Sequence, residues 1–160
     1  DALLQGFAKV PRARFKLLIA GGGGERLEFY KNLVDWLQLD SEVRFLGLVG
    51  DIDRIYPIAD IYVLPTLADP CPLAPLEAMA AGVPVVGTSV GGIPDFLEEG
   101  ETGVFCEVKN PKNIAQKVEK YLKDAESREY IVKKAKALVK EKYQWEKIVG
   151  DVKRVFLESK

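Results

Sequence analysis

Two carboxylates separated by seven residues, Asp69 and Glu77, are the side chains in this sequence best spaced to do chemistry. Glu77 is the only charge in Leu73 to Ala81 (LAPLEAMAA), a predicted helix apolar nearly all round and therefore expected to be buried. An ionised carboxylate is almost never fully buried without a partner or a ligand, so Glu77 requires one. Asp69 lies one loop earlier, and Pro70, Pro72 and Pro75 stiffen the backbone so that it falls near the helix N-terminus. That terminus carries free N–H groups and the positive end of the helix dipole, a place for an anion such as phosphate. Two acceptors for hydroxyl groups around an anion site suit a sugar nucleotide. Taken singly, Asp69 also fits a turn residue bonding nearby backbone, and Glu77 a salt-bridged residue on a helix rim.

The elements that position these acids alternate strand and helix. A helix over Ala2 to Val10 stops at Pro11, and a strand from Phe15 to Ala20 runs into four glycines, Gly21 to Gly24, before a helix from about Glu25 to Leu37. Trp36 and Leu37 are expected to close that helix onto the sheet. The glycine loop lacks G-x-G-x-x-G spacing, so it reads equally as a tight turn and as a phosphate approach made by Gly21 and Gly22. A second strand spans Val43 to Leu46; the loop after it holds Val49 and Asp51, and a helix is expected over about Ile52 to Ala59. Asp51 also fits an N-cap of that helix. Asp60 to Leu64 is hydrophobic enough for the middle of a parallel sheet. Pro84 to Val86 is a fourth strand, and its loop through Gly91 and Gly92 leads to a helix at about Pro94 to Glu99. Gly91 and Gly92 can turn successive N–H groups toward an anion or serve a plain turn. Val104 to Cys106 is a short edge strand. Helices over Pro111 to Lys123 and Glu126 to Lys142 carry solvated Lys and Glu faces, and Ile148, Val152 and Phe156 give a last helix one packing face. Strands at regular spacing with helices between them imply right-handed crossovers and a doubly wound, Rossmann-like α/β parallel sheet of about five strands.

Composition narrows the class. At 160 residues with 48% hydrophobic content the chain forms a single domain with one sizeable core. Net charge is -1, which asks for neither nucleic acid nor an anionic membrane as a partner. With no histidine, His-based catalysis and His-ligated metal are excluded within these residues. Cys71 and Cys106 lack CxxC spacing and read as free thiols. No stretch approaches the roughly 20 apolar residues of a membrane span, and the N-terminus is not a signal peptide, so a cytoplasmic protein is expected.

From Thr66 onward the sequence resembles the signature of the retaining glycosyltransferase group 1 family. Asp69 and Glu77 have the spacing of its Glu-x7-Glu motif, followed by Leu76 to Ala80, Gly82, Pro84 to Val86 and the turn Gly91-Gly92-Ile93-Pro94-Asp95. The resemblance extends from Asp1 to about Phe156. It implies the C-terminal, donor-binding half of a GT-B enzyme that takes a sugar from a UDP-, GDP- or ADP-linked donor. By that analogy Glu77 holds the ribose hydroxyls and Asp69 meets the donor sugar. Val49 and Asp51 lie in the loop that meets the base, and Gly21 and Gly22 border the donor site. No metal or other cofactor is implied.

Two departures and one gap qualify the analogy. The family has Glu-Gly-Phe-Gly or Glu-Pro-Phe-Gly where this chain has Asp69-Pro70-Cys71-Pro72. Asp is one methylene shorter than Glu, and Pro72 has no N–H, which leaves Leu73 and Ala74 to carry the anion site. The family's first strand, with an Arg and Lys segment after it, and its N-terminal acceptor domain are both expected outside these residues, so the fragment alone is expected to be inactive. The alternatives are a non-catalytic nucleotide-sugar-binding or scaffold domain and a GT-B sugar-nucleotide 2-epimerase. A dinucleotide dehydrogenase fits worst, because the fingerprint is missing.

Overall fold

The computed structural model describes residues 1–11, 15–22 and 24–158. Five short strands, β1 (Leu17–Ala20), β2 (Val43–Gly47), β3 (Tyr62–Leu64), β4 (Val85–Thr88) and β5 (Val104–Cys106), alternate with helices. The helices are α1 (Ala2–Phe7), α2 (Leu27–Trp36), α3 (Leu73–Ala81), α4 (Pro111–Lys123), α5 (Ala125–Lys142) and α6 (Trp145–Glu158). All strand pairs are parallel, as helical crossovers require.

The strands fall into two hydrogen-bonded groups rather than one sheet: β1 with β2, and β4 between β3 and β5. β3, expected mid-sheet, is therefore at an edge, and none of its three residues is fully buried. β4 is buried at all four residues because it has a partner on each side and layers above and below. Two apolar clusters correspond to the groups. Ala78, Met79, Val85, Ile93, Leu97 and Ala135 fill the space between α3, β4 and α5. Leu4, Phe7, Leu17, Val34, Leu39 and Val118 join α1, β1, α2 and α4.

Local chemistry sets the helix ends. The Asn110 side chain accepts the Asn113 N–H at 3.1 Å with Pro111 in the first turn of α4, and Asp124 accepts the Ser127 N–H at 3.0 Å to start α5. Two expected helices do not form. Ile52 to Ala59 is a pair of 3-10 turns, Ile52–Arg54 and Tyr56–Ile58, because Pro57 has no N–H to continue an α-helical ladder. Pro94 to Glu99 reduces to one 3-10 turn, Ile93–Asp95. The Thr102 hydroxyl accepts the Glu98 N–H and donates to the Phe96 carbonyl, each at 2.8 Å, and so takes the bonds a further turn would use. Trp36 is 77% exposed instead of closing α2 onto the sheet, while Leu37 is half-buried against the second cluster. The expected packing face of α6 is left largely open: Val152 and Phe156 are exposed and Ile148 is half-covered.

Candidate active site

In parallel α/β folds ligands gather beyond the C-terminal ends of the strands. Here those ends lead to Gly21 after β1, to Val49 and Asp51 after β2, to Asp69 after β3, and to Gly91 and Gly92 after β4. A cavity of about 520 Å³ lies between β1 and β3, and Gly21, Val49, Ala74 and Glu77 line it together with Tyr56 and Tyr62. Gly22, Asp51, Asp69, Leu73, Gly91 and Gly92 are outside that lining.

Glu77 is exposed rather than buried. α3 buries Pro75, Ala78 and Met79 on one side and leaves Leu73, Glu77, Ala80 and Ala81 open on the other, so its uniform hydrophobicity hides a facial asymmetry. The carboxylate does have the partner its setting demands. The buried Tyr56 hydroxyl donates to Glu77 Oε2 at 2.9 Å and lies 3.2 Å from the Ala74 carbonyl oxygen. Burial, followed by the hydrogen bond and charge of Glu77, pushes the Tyr56 phenol far above its ordinary range. Tyr62 stacks edge-on to it with ring centroids 6.2 Å apart. Its phenol is pushed up to about 12, first by burial and then by the negative charges of Glu77 and Asp69. Tyr62 thus lies in the field of both acids and links the two sides of the site.

The N-terminus of α3 has no side-chain cap; its N-cap is Pro72. Of the four N–H groups a helix leaves unpaired at its start, prolines at positions 72 and 75 remove two, and Leu73 and Ala74 supply the others.

Gly91 and Gly92 form a clasp on the loop that carries Asp69. The Gly92 N–H donates to the Asp69 carbonyl at 3.0 Å. A Cβ at Gly91 would stand 1.9 Å from that same oxygen, and one at Gly92 would stand 2.3 Å from the Pro70 carbonyl. The Gly92 N–H is therefore committed to holding the Asp69 loop and is not aimed at an anion. The buried Thr88 hydroxyl adds a second tie by donating to the Thr66 carbonyl at 2.7 Å.

The remaining residues sit apart. Asp51 does not cap the following turn; it is exposed and pairs loosely with Arg54 at 3.6 Å. The Gly21 N–H is taken by the Gly47 carbonyl at 2.8 Å. Gly22 is exposed beside the Leu48 side chain. Among the described residues no three His, Cys, Asp or Glu side chains come together to hold a metal ion. Tyr56 and Tyr62 went unnoticed in the sequence because Tyr56 meets Glu77 only across 21 residues; the available signal was two tyrosines leading into a strand whose far end opens on the site.

Residues 1–138 match the family model described as glycosyl transferases group 1. The chain belongs to that family. Within the group 1 glycosyltransferases it is 40% identical over 159 residues to an uncharacterised glycosyltransferase of Methanocaldococcus jannaschii, a span of 98% of this chain and 40% of that protein. It is 34% identical to the N-acetyl-alpha-D-glucosaminyl L-malate synthase of Bacillus anthracis, over 98% of this chain and 41% of that protein. The chain thus spans about two-fifths of the curated relatives it matches. Among solved structures it superposes with a TM-score of 0.79 and 26% identity on the C-terminal domain of a glycosyl transferase group 1 protein from Francisella tularensis, covering 90% of this chain and 78% of that one. The Anabaena protein HepE, solved with UDP-glucose, shares the fold with a TM-score of 0.93 at 22% identity, over 98% of this chain and 44% of that one. The fold is accordingly that of the C-terminal domain of a GT-B glycosyltransferase.

Proposed function

We propose that this chain is the donor-binding half of a retaining glycosyltransferase, which moves a sugar from a nucleotide diphosphosugar to an acceptor bound by another part of the protein. The observation that carries the reading is the placement of Glu77. It is the one carboxylate on the open side of α3, it faces a cavity at the strand ends, and it lies one turn beyond an uncapped helix start. Glu77 accepts hydrogen bonds from the ribose hydroxyls while Tyr56 holds its other side. The Leu73 and Ala74 N–H groups and the α3 dipole bind the diphosphate. Asp69, fixed by the glycine clasp, meets the sugar. Val49 and Asp51 lie toward the base, with Gly21 and Gly22 bordering the donor.

In the reaction the bond between the anomeric carbon and the phosphate oxygen breaks, and the electron pair leaves with the nucleoside diphosphate. The acceptor oxygen forms the new bond on the same face of the sugar and its proton passes to the departing phosphate. Donors fixed at the α3 N-terminus stabilise the charge that develops on the leaving group. No metal is needed in this scheme, so chelation with EDTA leaves turnover unchanged. Because the acceptor binds elsewhere, residues 1–160 alone give no turnover.

Calorimetric titration of the full-length protein with UDP, GDP, ADP and their sugar conjugates tests the reading. UDP comes first because the Anabaena protein of the same fold holds it. Glu77→Ala is expected to weaken the bound nucleotide by about 1 to 3 kcal/mol, roughly 5- to 150-fold, the loss typical of a hydrogen-bonded charge. A silent Glu77→Ala overturns the assignment. Pro72 and Pro75, which halve the anion donors at α3, favour a second reading as a nucleotide-sugar-binding domain without catalysis. Tight binding with no turnover in the full-length protein would decide for it.

A further inference from the structure

We propose that the chain carries a second ligand site, for a neutral polyhydroxylated molecule such as a saccharide unit, in the cavity enclosed by the end of α4, the first turns of α5 and the segment that leads into β5. The cavity measures about 440 Å³, within the roughly 300 to 1,000 Å³ of small-molecule sites. Val104 begins β5, and Lys117, Lys120 and Tyr121 lie toward the end of α4, so the cavity is at the N-terminal ends of the strands, opposite Asp69 and the start of α3. It shares no residue with the cavity that Glu77 lines. Tyr121 is the observation that points to a ligand. It is only 4% exposed, yet its hydroxyl has no hydrogen-bond partner among the described residues, and a buried hydroxyl left unpaired is costly. Burial, followed by the charges of Glu99 and Asp124, pushes its phenol far above the ordinary range. Both carboxylates line the cavity, so the hydroxyl lies on the cavity side of its ring and stays protonated, ready to donate.

The walls are tied in place by side chains. Lys117 pairs with Glu99 Oε1 at 2.8 Å while Glu99 Oε2 accepts the Phe105 N–H, the Ser127 hydroxyl donates to Asp124 at 2.8 Å, and the Tyr130 hydroxyl donates to Glu101 at 3.0 Å. A site held this way gives up little freedom when it is filled. The lining charges decide the class of ligand. Three carboxylates, Glu99, Asp124 and Glu126, stand against two ammonium groups, Lys117 and Lys120, and that near balance favours neither an anion nor a cation. Lys120 and Glu126 make no hydrogen bond or ion pair among the described residues, so with Tyr121 they offer donors and an acceptor together. A hydroxyl group both donates and accepts and pairs with either kind. Val104, Ile131 and the Tyr121 ring pack as one apolar cluster on the inner wall. The C–H face of a pyranose fits against that wall while its rim of hydroxyls meets the charged groups.

Methyl NMR titration of the full-length protein tests this. The Val104 and Ile131 signals report this cavity whether or not a nucleotide binds elsewhere, so the result is independent of the calorimetric titration. Glucose, mannose and N-acetylglucosamine are added, each as monosaccharide and as trisaccharide, and myo-inositol is added as a simple polyol. At least one of them is expected to shift both signals, with excess UDP present as well as without it. A trisaccharide that binds more tightly than its monosaccharide identifies the ligand as part of a glycan, and equal binding identifies it as a single free unit. Tyr121→Phe and Lys120→Met should each weaken that binding about 5-fold, the loss of one hydrogen bond. In the ligand-free protein Tyr121→Phe should melt no lower than the parent, because the hydroxyl it removes is unpaired. The proposal is overturned if none of these molecules shifts the two signals, or if glycine or inorganic phosphate shifts them where the sugars do not. A silent Tyr121→Phe also overturns it, as does a lower melting temperature for that variant without ligand, which would mean that the hydroxyl is already paired inside the fold.

Discussion

β3 and β4 lie side by side in register, Tyr62 to Val85, Val63 to Val86 and Leu64 to Gly87, yet one is buried at every residue and the other at none. Both are apolar, so hydrophobicity does not separate them. The number of neighbours does. β4 has a strand on each side and the α3–α5 layer behind it, whereas β3 borders the cavity. The same division runs through the molecule: a closed half around β4 holds the Asp69 loop rigidly, and an open half around β1 and β3 presents Tyr56, Tyr62 and Glu77.

Substitutions that put charge into the closed half should have the largest effect. Val86→Asp places a carboxylate at a site with no exposure between two strands, and is expected to remove more than about 4 kcal/mol of stability, read as loss of the folded baseline in thermal or urea unfolding. Gly91→Ala tests the clasp between the halves. With φ at +56° and a carbonyl in the way, it should cost about 2 to 4 kcal/mol and weaken sugar-nucleotide binding as the Asp69 loop shifts. An alanine accepted without cost would show that the loops are not clasped.

In the open half, Tyr56→Phe removes one hydrogen bond while keeping the ring, so about 1 kcal/mol of stability is lost. The alkaline shifts of Tyr56 and Tyr62 keep both phenols protonated, so nucleotide affinity should stay flat between about pH 7 and 9.5, checked by titration across that range. The smallest effect distinguishes two thiols. Cys106 in β5 is buried, with its thiol pushed up to about 11 by burial, and should resist a thiol reagent at pH 8. Cys71, exposed in the Asp69 loop, should react at once. Equal reactivity would mean that the closed half opens readily.

The order of strands and helices was readable because caps and apolar spacing are local. Asn110 before Pro111 and Asp124 before Ser127 announce α4 and α5 in the chain itself. Apart from Pro57, which breaks the expected helix over Ile52 to Ala59 from within, the misreadings arose where a distant group decides. Thr102 ends the turn after Pro94, and a strand partner on one side only among the described residues leaves β3 half-covered. At the candidate site, Asp69 and Glu77 stand out in the sequence by their spacing. The sequence did not show that Glu77 stands on an open side of its helix, that Tyr56 holds it, or that Gly92 spends its N–H on the Asp69 loop. Each of these depends on which segments fold next to each other.

The glycine clasp has a consequence for anyone who would re-engineer this protein. Because the Asp69 and Pro70 carbonyls occupy the space of two absent Cβ atoms, residues 66–70 and 88–92 interlock as a matched pair. A transplant of either loop alone from a relative brings a mismatched surface into that contact. The practical unit of exchange is a two-part cassette, and libraries that randomise one part while leaving the other native will be dominated by misfolded clones.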